Sequence, residues 1–348
     1  PTGDKVELMA TAKHFAGVEG LPIGSLKGNL GHLITAAGMA SLIKMSFAIN
    51  EGVIPPTRLD GEALDGFAGS TAVPAQKAAW PKDRPRIAAI SNFGFGGNNA
   101  HLILAADDGT RPKARKRKAA KTEAVICATG LCMGPDRGVT AVLQRLARPP
   151  KQPRGPMSEV AARPKPLRTP PSELGAAQGQ QLALYDAVDD ALARHPLEDG
   201  ARVGVFTGFA CAPEAARWML RARIAKRLGL NPQAPETDAA RNSVAPPLKA
   251  GDVLGAMPNV SANRINVRGD WRAQGFAVME EEASGLRALE LAMRALEAGE
   301  IDAAIVAAAD LSADPVHEAA TGESGGDAAA ALILKRVGEA DGVTLKAL

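Results

Sequence analysis

Apolar positions change their period several times along the chain. Thr35 to Asn50 is rich in small and apolar residues at helical spacing and stops at the breakers Gly52, Pro55 and Pro56, so it predicts one helix. Leu286, Leu289, Met293 and Leu296 recur at intervals of three and four and predict a helix over Ala283 to Ala298 that ends at Gly299. Pro213 to Leu230 reads as a further helix with a basic face. Other stretches read as strands. Arg86 to Ser91 and His101 to Ala105 flank the turn F-G-F-G-G-N-N and predict a hairpin. Ala124 to Thr129, Val203 to Thr207 and Ala329 to Leu334 are short strand-like runs, and Ile301 to Ala309 is continuously apolar, as a parallel sheet buried on both faces requires. Eight prolines between Pro149 and Pro171 exclude regular helix or central strand and predict an exposed loop. Strands alternating with helices point to an α/β fold.

Composition narrows this further. With 348 residues and 46% hydrophobic content the chain can bury a large core, while 3% aromatic residues leave little for a base-stacking platform. The formal charge of +3 is local. Seven basic residues and no acidic one fall between Arg111 and Lys121, and subtracting them leaves −4 for the remainder. Such a run is either a solvated, self-repelling tether or a patch for nucleic acid or an acidic protein; the tether reading is preferred, with no nucleic acid as partner. It marks a boundary: residues 1–107, a basic linker 108–123, and residues 124–348. Cys127, Cys132 and Cys211 are too few for a disulfide framework and lack zinc-site spacing, which favours a reducing cytoplasmic setting and no bound metal. No apolar run reaches the length of a membrane span, and the opening P-T-G-D-K-V-E reads as a piece of a longer polypeptide.

Two segments carry candidate chemistry. In Gly24 to Gly38, G-S-L-K-G-N-L-G-H-L-I-T-A-A-G, Lys27 and His32 lie five apart with Gly28 and Gly31 between them, so a tight turn can aim both at one site. An imidazole held there could donate to a carbonyl oxygen gaining charge, which hints at acyl transfer; a lone Lys and His pair of this kind is more often structural, and on these residues alone that reading is preferred. In S-N-F-G-F-G-G-N-N-A-H, Ser91 to His101, the Walker lysine and hydroxyl of a phosphate loop are missing. That leaves a structural turn, or a turn whose backbone N–H groups face an oxyanion while Phe95 covers a pocket.

Together these segments resemble the β-ketoacyl synthase family, in which K-x-x-x-G-H is followed some sixty residues later by G-F-G-G-x-N-A-H. The opening P-T-G-D-K-V-E is similar to the end of the family's H-G-T-G-T-P-x-G-D-x-x-E block. The resemblance implies that His32 is the second catalytic histidine, assisting decarboxylation of a malonyl thioester, with Lys27 in support. It implies that Phe95 is a gate residue which, beside Gly94, helps form the oxyanion hole. Leu33 and Ile34 stand where many ketosynthases carry Thr and Glu, so the carboxylate that usually neighbours the lysine is missing from this position.

The remainder resembles the same family from its beginning. Val125 to Met133 is similar to the opening strand and turn, and Asp252 to Ile265 to the block leading into the nucleophile. Where the family carries a segment such as F-T-V-D-T-A-C-S-S-S-L, this chain has F-A-V-M-E-E-E-A-S-G-L, which puts Glu282 at the cysteine position. A carboxylate there forms only a labile anhydride, so a degenerate nucleophile is expected, although Glu280, Glu281 and Glu282 would also favour a helix start. A ketosynthase followed by a nucleophile-free copy, with D-P-V-H around His317, resembles the ketosynthase and chain-length factor of polyunsaturated fatty acid synthases. The implied fold is thiolase-like, with βαβαβ halves layered α-β-α-β-α, present here as two half-domains. The implied partners are acyl carrier protein and the pairing of ketosynthase with chain-length factor. No cofactor is expected to bind, the substrates being carried on the phosphopantetheine of the carrier protein. A malonyl decarboxylase of the loading type and a non-catalytic pairing module are the alternatives.

Overall fold

The computed structural model describes residues 2–59, 61, 71–94, 97–107, 109, 123–147, 156–157, 160, 168–323 and 325–346. The chain divides into two compact units, residues 1–94 with 99–116 and residues 95–98 with 117–348. The basic run Arg111 to Lys121 and Phe95, the expected gate residue, lie outside the described residues.

In the first unit the opening stretch forms α1 (Thr2–His14). The Gly-rich segment that carries Lys27 contains a one-turn helix, α2 (Lys27–Leu30). A 3-10 turn at Ile34–Ala36 leads into α3 (Ala37–Glu51), so the predicted helix is present with its first residues wound more tightly. Gly52 ends α3 in the left-handed conformation at φ 66°, and the Arg86 guanidinium donates to the carbonyls of Ile49 and Asn50 at 3.0 and 2.9 Å. The orphan carbonyls of the last turn are thereby satisfied. The hairpin forms as expected from β1 (Ile87–Phe93) and β2 (Asn99–Ala105), antiparallel, with α3 packed on β1 through the buried Ala48, Ile49 and Ile90.

The second unit is built on a seven-stranded mixed sheet. Its elements include β3 (Glu123–Met133), α4 (Val139–Leu146), α5 (Gly179–Arg194), β4 (Val203–Phe209), α6 (Pro213–Leu228) and α7 (Pro258–Arg268). They continue with β5 (Gly275–Val278), α8 (Ser284–Glu297), β6 (Ala303–Leu311), α9 (Pro315–Thr321), β7 (Asp327–Lys335) and β8 (Val343–Lys346). Six strands follow the order β5-β4-β6-β7-β3-β8, and the seventh, the two-residue strand Asp136–Arg137, pairs with β3 off this path. Strands β5, β4 and β6 run parallel, while β7 is antiparallel to both β6 and β3. The apolar run at 301–309 is buried as predicted, but only one of its neighbours is parallel, because β7 returns beside it antiparallel.

Helices cover both faces. Alternation along β4 sends Val203, Val205 and Phe209 toward Leu184, Val188 and Ile265 of α5 and α7, and sends Phe206 toward Met293 and Leu296 of α8. Fully burying a side chain of this size contributes about 1.5–3 kcal/mol, so the two layers hold the sheet from both sides.

The proline-rich stretch departs from expectation where it is described. Met157 is buried, not exposed, and its N–H donates to the Asp327 carboxylate at 2.6 Å, while Pro171 opens a one-turn helix at Pro171–Gly175. Proline forbids ladder hydrogen bonds, but it does not prevent an irregular segment from lying against a core.

Tyr185 of α5 is the single tyrosine of the chain. It is 4% exposed, and burial pushes its phenol up to about 12, the charge and hydrogen bond of Arg264 pulling it partly back. Above the ordinary value of 10 the unfolded chain ionises while the folded one does not. The stabilisation is therefore complete below pH 10 and is lost as pH rises through 12, amounting to about 2–3 kcal/mol. Denaturant titrations from pH 9 to 12 should show this loss, and Tyr185→Phe should abolish the part of the slope that coincides with phenolate absorbance.

Candidate functional site

The first unit brings Lys27 and His32 onto one short stretch of surface. Both are exposed, Lys27 at the first position of α2 and His32 just beyond Gly31, whose φ of 73° reverses the chain. Gly28 is required by close approach, since a Cβ there would overlap the Arg58 carbonyl oxygen. The Ile34 N–H donates to His32 Nδ1 at 3.1 Å, which fixes the ring and places the proton of a neutral imidazole on Nε2. That is the tautomer a hydrogen-bond donor to a developing oxyanion needs.

The carboxylate missing at position 34 has a counterpart that sequence spacing did not reveal. Glu7 of α1 interacts electrostatically with Lys27: partial burial pushes its carboxyl above the ordinary value, Lys27 pulls it back, and Asp4 raises it further. The signal was present in the D-x-x-E end of the opening block, but nothing in the spacing joined it to a lysine twenty residues later. Gly94 follows the end of β1, and below it Ser91 Oγ and His101 Nδ1 lie 2.9 Å apart across the hairpin.

In the second unit the candidate nucleophile position lies where β5, the outermost parallel strand, gives way to α8. Glu281 takes φ 48°, Glu280 and Glu282 form an isolated bridge around it, and the chain enters α8 at Ser284. All three glutamates are exposed. None lies in the first turn of the helix, so support of the helix start does not account for all three. The buried Ser284 hydroxyl accepts the Glu280 N–H at 2.8 Å and lies 2.9 Å from the Phe209 carbonyl at the end of β4.

Near this turn stand His317, noted in the sequence, and the carboxylates Asp310 and Asp327, which sequence inspection did not single out. Burial pushes the Asp310 carboxyl up at the end of β6; His317 and the Ser312 hydroxyl pull it down, and Asp327 and Glu282 raise it. His317 thus faces the same cluster as Glu282, and α9 is anchored beside it by the Asp314 cap on the Val316 N–H and by Arg217, 2.5 Å from Asp314. Cys127 is partly buried, with its thiol pushed up by burial, Cys132 is buried and Cys211 is exposed; none of the three is in a disulfide, and none occupies the turn. Among the described residues no cluster of metal-ligating side chains is present, and no helix is long and apolar enough to cross a membrane.

A mixed sheet between helices, with a strained turn at the carboxyl ends of its parallel strands leading into a buried helix, places the second unit in the thiolase-like class. Two family profiles match the chain, one described as the beta-ketoacyl synthase C-terminal domain over residues 1–59 and one as its N-terminal domain over residues 142–340. The chain belongs to the β-ketoacyl synthase family. It is 28% identical over 359 aligned positions to one of the subunits of a polyunsaturated fatty acid synthase from a Thraustochytrium species, a match covering 89% of this chain and 17% of that protein. It is also 43% identical over 107 residues to a highly reducing polyketide synthase of Aspergillus fumigatus, covering 30% of this chain and 4% of that one. Among solved structures, the PfaC keto synthase–chain length factor matches 98% of this chain and 43% of its own, with TM-score 0.82 and 24% identity, a likeness of fold. The chain thus spans less than half the length of each of these relatives.

Proposed function

We propose that the parent protein is a condensing enzyme of fatty acid or polyketide biosynthesis and that this chain joins its ketosynthase to a chain-length factor. The supporting observation is the order of the family halves, a C-terminal part followed by an N-terminal part, and in the latter we assign Glu282 to the position of the cysteine. In the reaction, malonyl on acyl carrier protein loses carbon dioxide, and the carbanion attacks an acyl thioester held upstream. The new carbon–carbon bond forms as the cysteine thiolate leaves. His32 donates to the enolate oxygen through Nε2–H, and Lys27, balanced by Glu7, biases the charge around it. The turn at Gly94 and Phe95 is assigned to the oxyanion hole. Carrier protein delivers the substrates, and the second unit pairs with the ketosynthase without holding the chain covalently. The basic segment 108–123 is assigned as the tether between the two, without a nucleic-acid role.

The complete second domain is incubated with acyl-thioester donors and read by intact mass, and malonyl carrier protein is supplied separately while carbon dioxide is measured. No adduct and no carbon dioxide are expected. A stable acyl adduct would overturn the chain-length-factor reading, and decarboxylation without an adduct would replace it with the loading-type decarboxylase.

A further inference from the structure

One buried carboxylate in the second unit ties the proline-rich stretch to the loop that leads to His317. Asp327, the first residue of β7, is 5% exposed and stands opposite Leu311, the last residue of β6. Its Oδ2 accepts the Met157 N–H at 2.6 Å and its Oδ1 accepts the Ala313 N–H at 2.9 Å, partners 170 and 14 residues away. The Ser312 hydroxyl donates to the Gly326 carbonyl at 3.1 Å, which lays the loop after β6 along the start of β7. That loop runs into α9, where Asp314 caps the helix and His317 acts with Glu282 on the Asp310 carboxyl. On the other side, the Met157 side chain is buried in the core between the sheet, α5 and α7, and Val160 packs against the same core. Eight prolines between Pro149 and Pro171 carry no N–H, so each donor in this stretch that does find an acceptor counts for more.

We propose that Asp327 is a latch that couples the strap at Met157 to the loop 312–314 and, through it, to α9. The reason is the cost of a buried charge. A carboxylate out of water is stable only while its oxygens are hydrogen-bonded, and losing one donor leaves the desolvation of that oxygen uncompensated. When Met157 lifts off, Oδ2 regains a partner only from water, and the loop held by Oδ1 loosens as Asp327 turns outward to meet it. The strap is thus poised to free the His317 side of the candidate site. This coupling does not depend on the assignment of Glu282 to the nucleophile position.

The test follows amide hydrogen exchange in the full-length parent by peptide-resolved mass spectrometry. Met157→Ala removes the anchor without touching Asp327. Exchange is expected to rise about tenfold both in the peptide holding residues 156–160 and in the one holding 312–321, the effect of losing a hydrogen bond to a charged group. Exchange in α8 should stay unchanged. Asp327→Asn keeps the size of the side chain but presents one acceptor and one donor, so it can hold only one of the two N–H groups. In that background Met157→Ala should no longer change exchange over 312–321. Unchanged exchange over 312–321 in the Met157→Ala protein would overturn the coupling, and so would a rise in α8 as large as that over 312–321, which would mean general loosening of the unit. An equal rise over 312–321 with and without Asp327→Asn would route the coupling through the core and overturn the role of Asp327. Met157→Val is run beside the alanine variant, and a failure of both to fold would assign Met157 to the core alone and overturn the latch.

Discussion

Replacing His32 with alanine in the full-length parent is expected to slow malonyl decarboxylation by about 10²–10³, the usual cost of removing one preorganised oxyanion donor. Acyl loading of the upstream cysteine should be largely retained, because the expected loss lies in charge stabilisation at the malonyl carbonyl and not in attack by the thiol. The geometry motivates this division: Nδ1 is occupied by the Ile34 N–H, which leaves Nε2–H as the donor. Carbon dioxide release from malonyl carrier protein measures the first step and intact mass of the acylated protein the second. His32→Gln, which retains an N–H donor, should recover part of the rate. Condensation at the normal rate by the alanine variant would remove His32 from the mechanism and leave the Lys27 segment with a structural role.

The second large effect expected is on stability. Gly130 lies in the middle of β3 where α5 crosses it. A Cβ there would overlap the Ala187 carbonyl oxygen and come within 2.6 Å of the Ala191 nitrogen, both backbone atoms of α5. Backbone atoms cannot swing aside as a side chain would, so relief requires lifting the helix from the sheet. That would open the core around Ala183, Leu184 and Val188, all no more than 1% exposed. Gly130→Val is expected to destabilise the second unit by about 3 kcal/mol, at the upper end of overpacking costs, and Gly130→Ala by somewhat less. Chemical denaturation of wild type and variants measures it. A Gly130→Val variant as stable as wild type would show that α5 moves freely on β3.

These two residues illustrate what was legible in advance. The block around His32 stood out because it combines rare types in a fixed order, a property of local sequence that exists without knowledge of the fold. The helix over α8 was legible for a similar reason, since three of its four periodic apolar residues, Leu289, Met293 and Leu296, are buried, although Leu286 stays exposed. Gly130, by contrast, looks like any glycine in a strand, and only the crossing of α5 makes it irreplaceable.

The same division runs through the candidate site. Local pattern was enough for the α/β class, for the hairpin of β1 and β2, and for the extent of the strongly periodic elements. Each of these depends on residues close together in the chain. Folding in three dimensions was needed to show that Glu7 faces Lys27, that Asp310 and His317 share an electrostatic neighbourhood with Glu282, and that Met157 is tied to Asp327. It was needed also to show that β7 runs antiparallel beside β6, because β-pairing direction depends on how the chain returns to the sheet and not on the apolar run itself. Electrostatic and hydrogen-bonded partners brought together across 20 to 170 residues leave no periodic trace, since their energy depends on distances that exist only after the sheet and its two helical layers have closed.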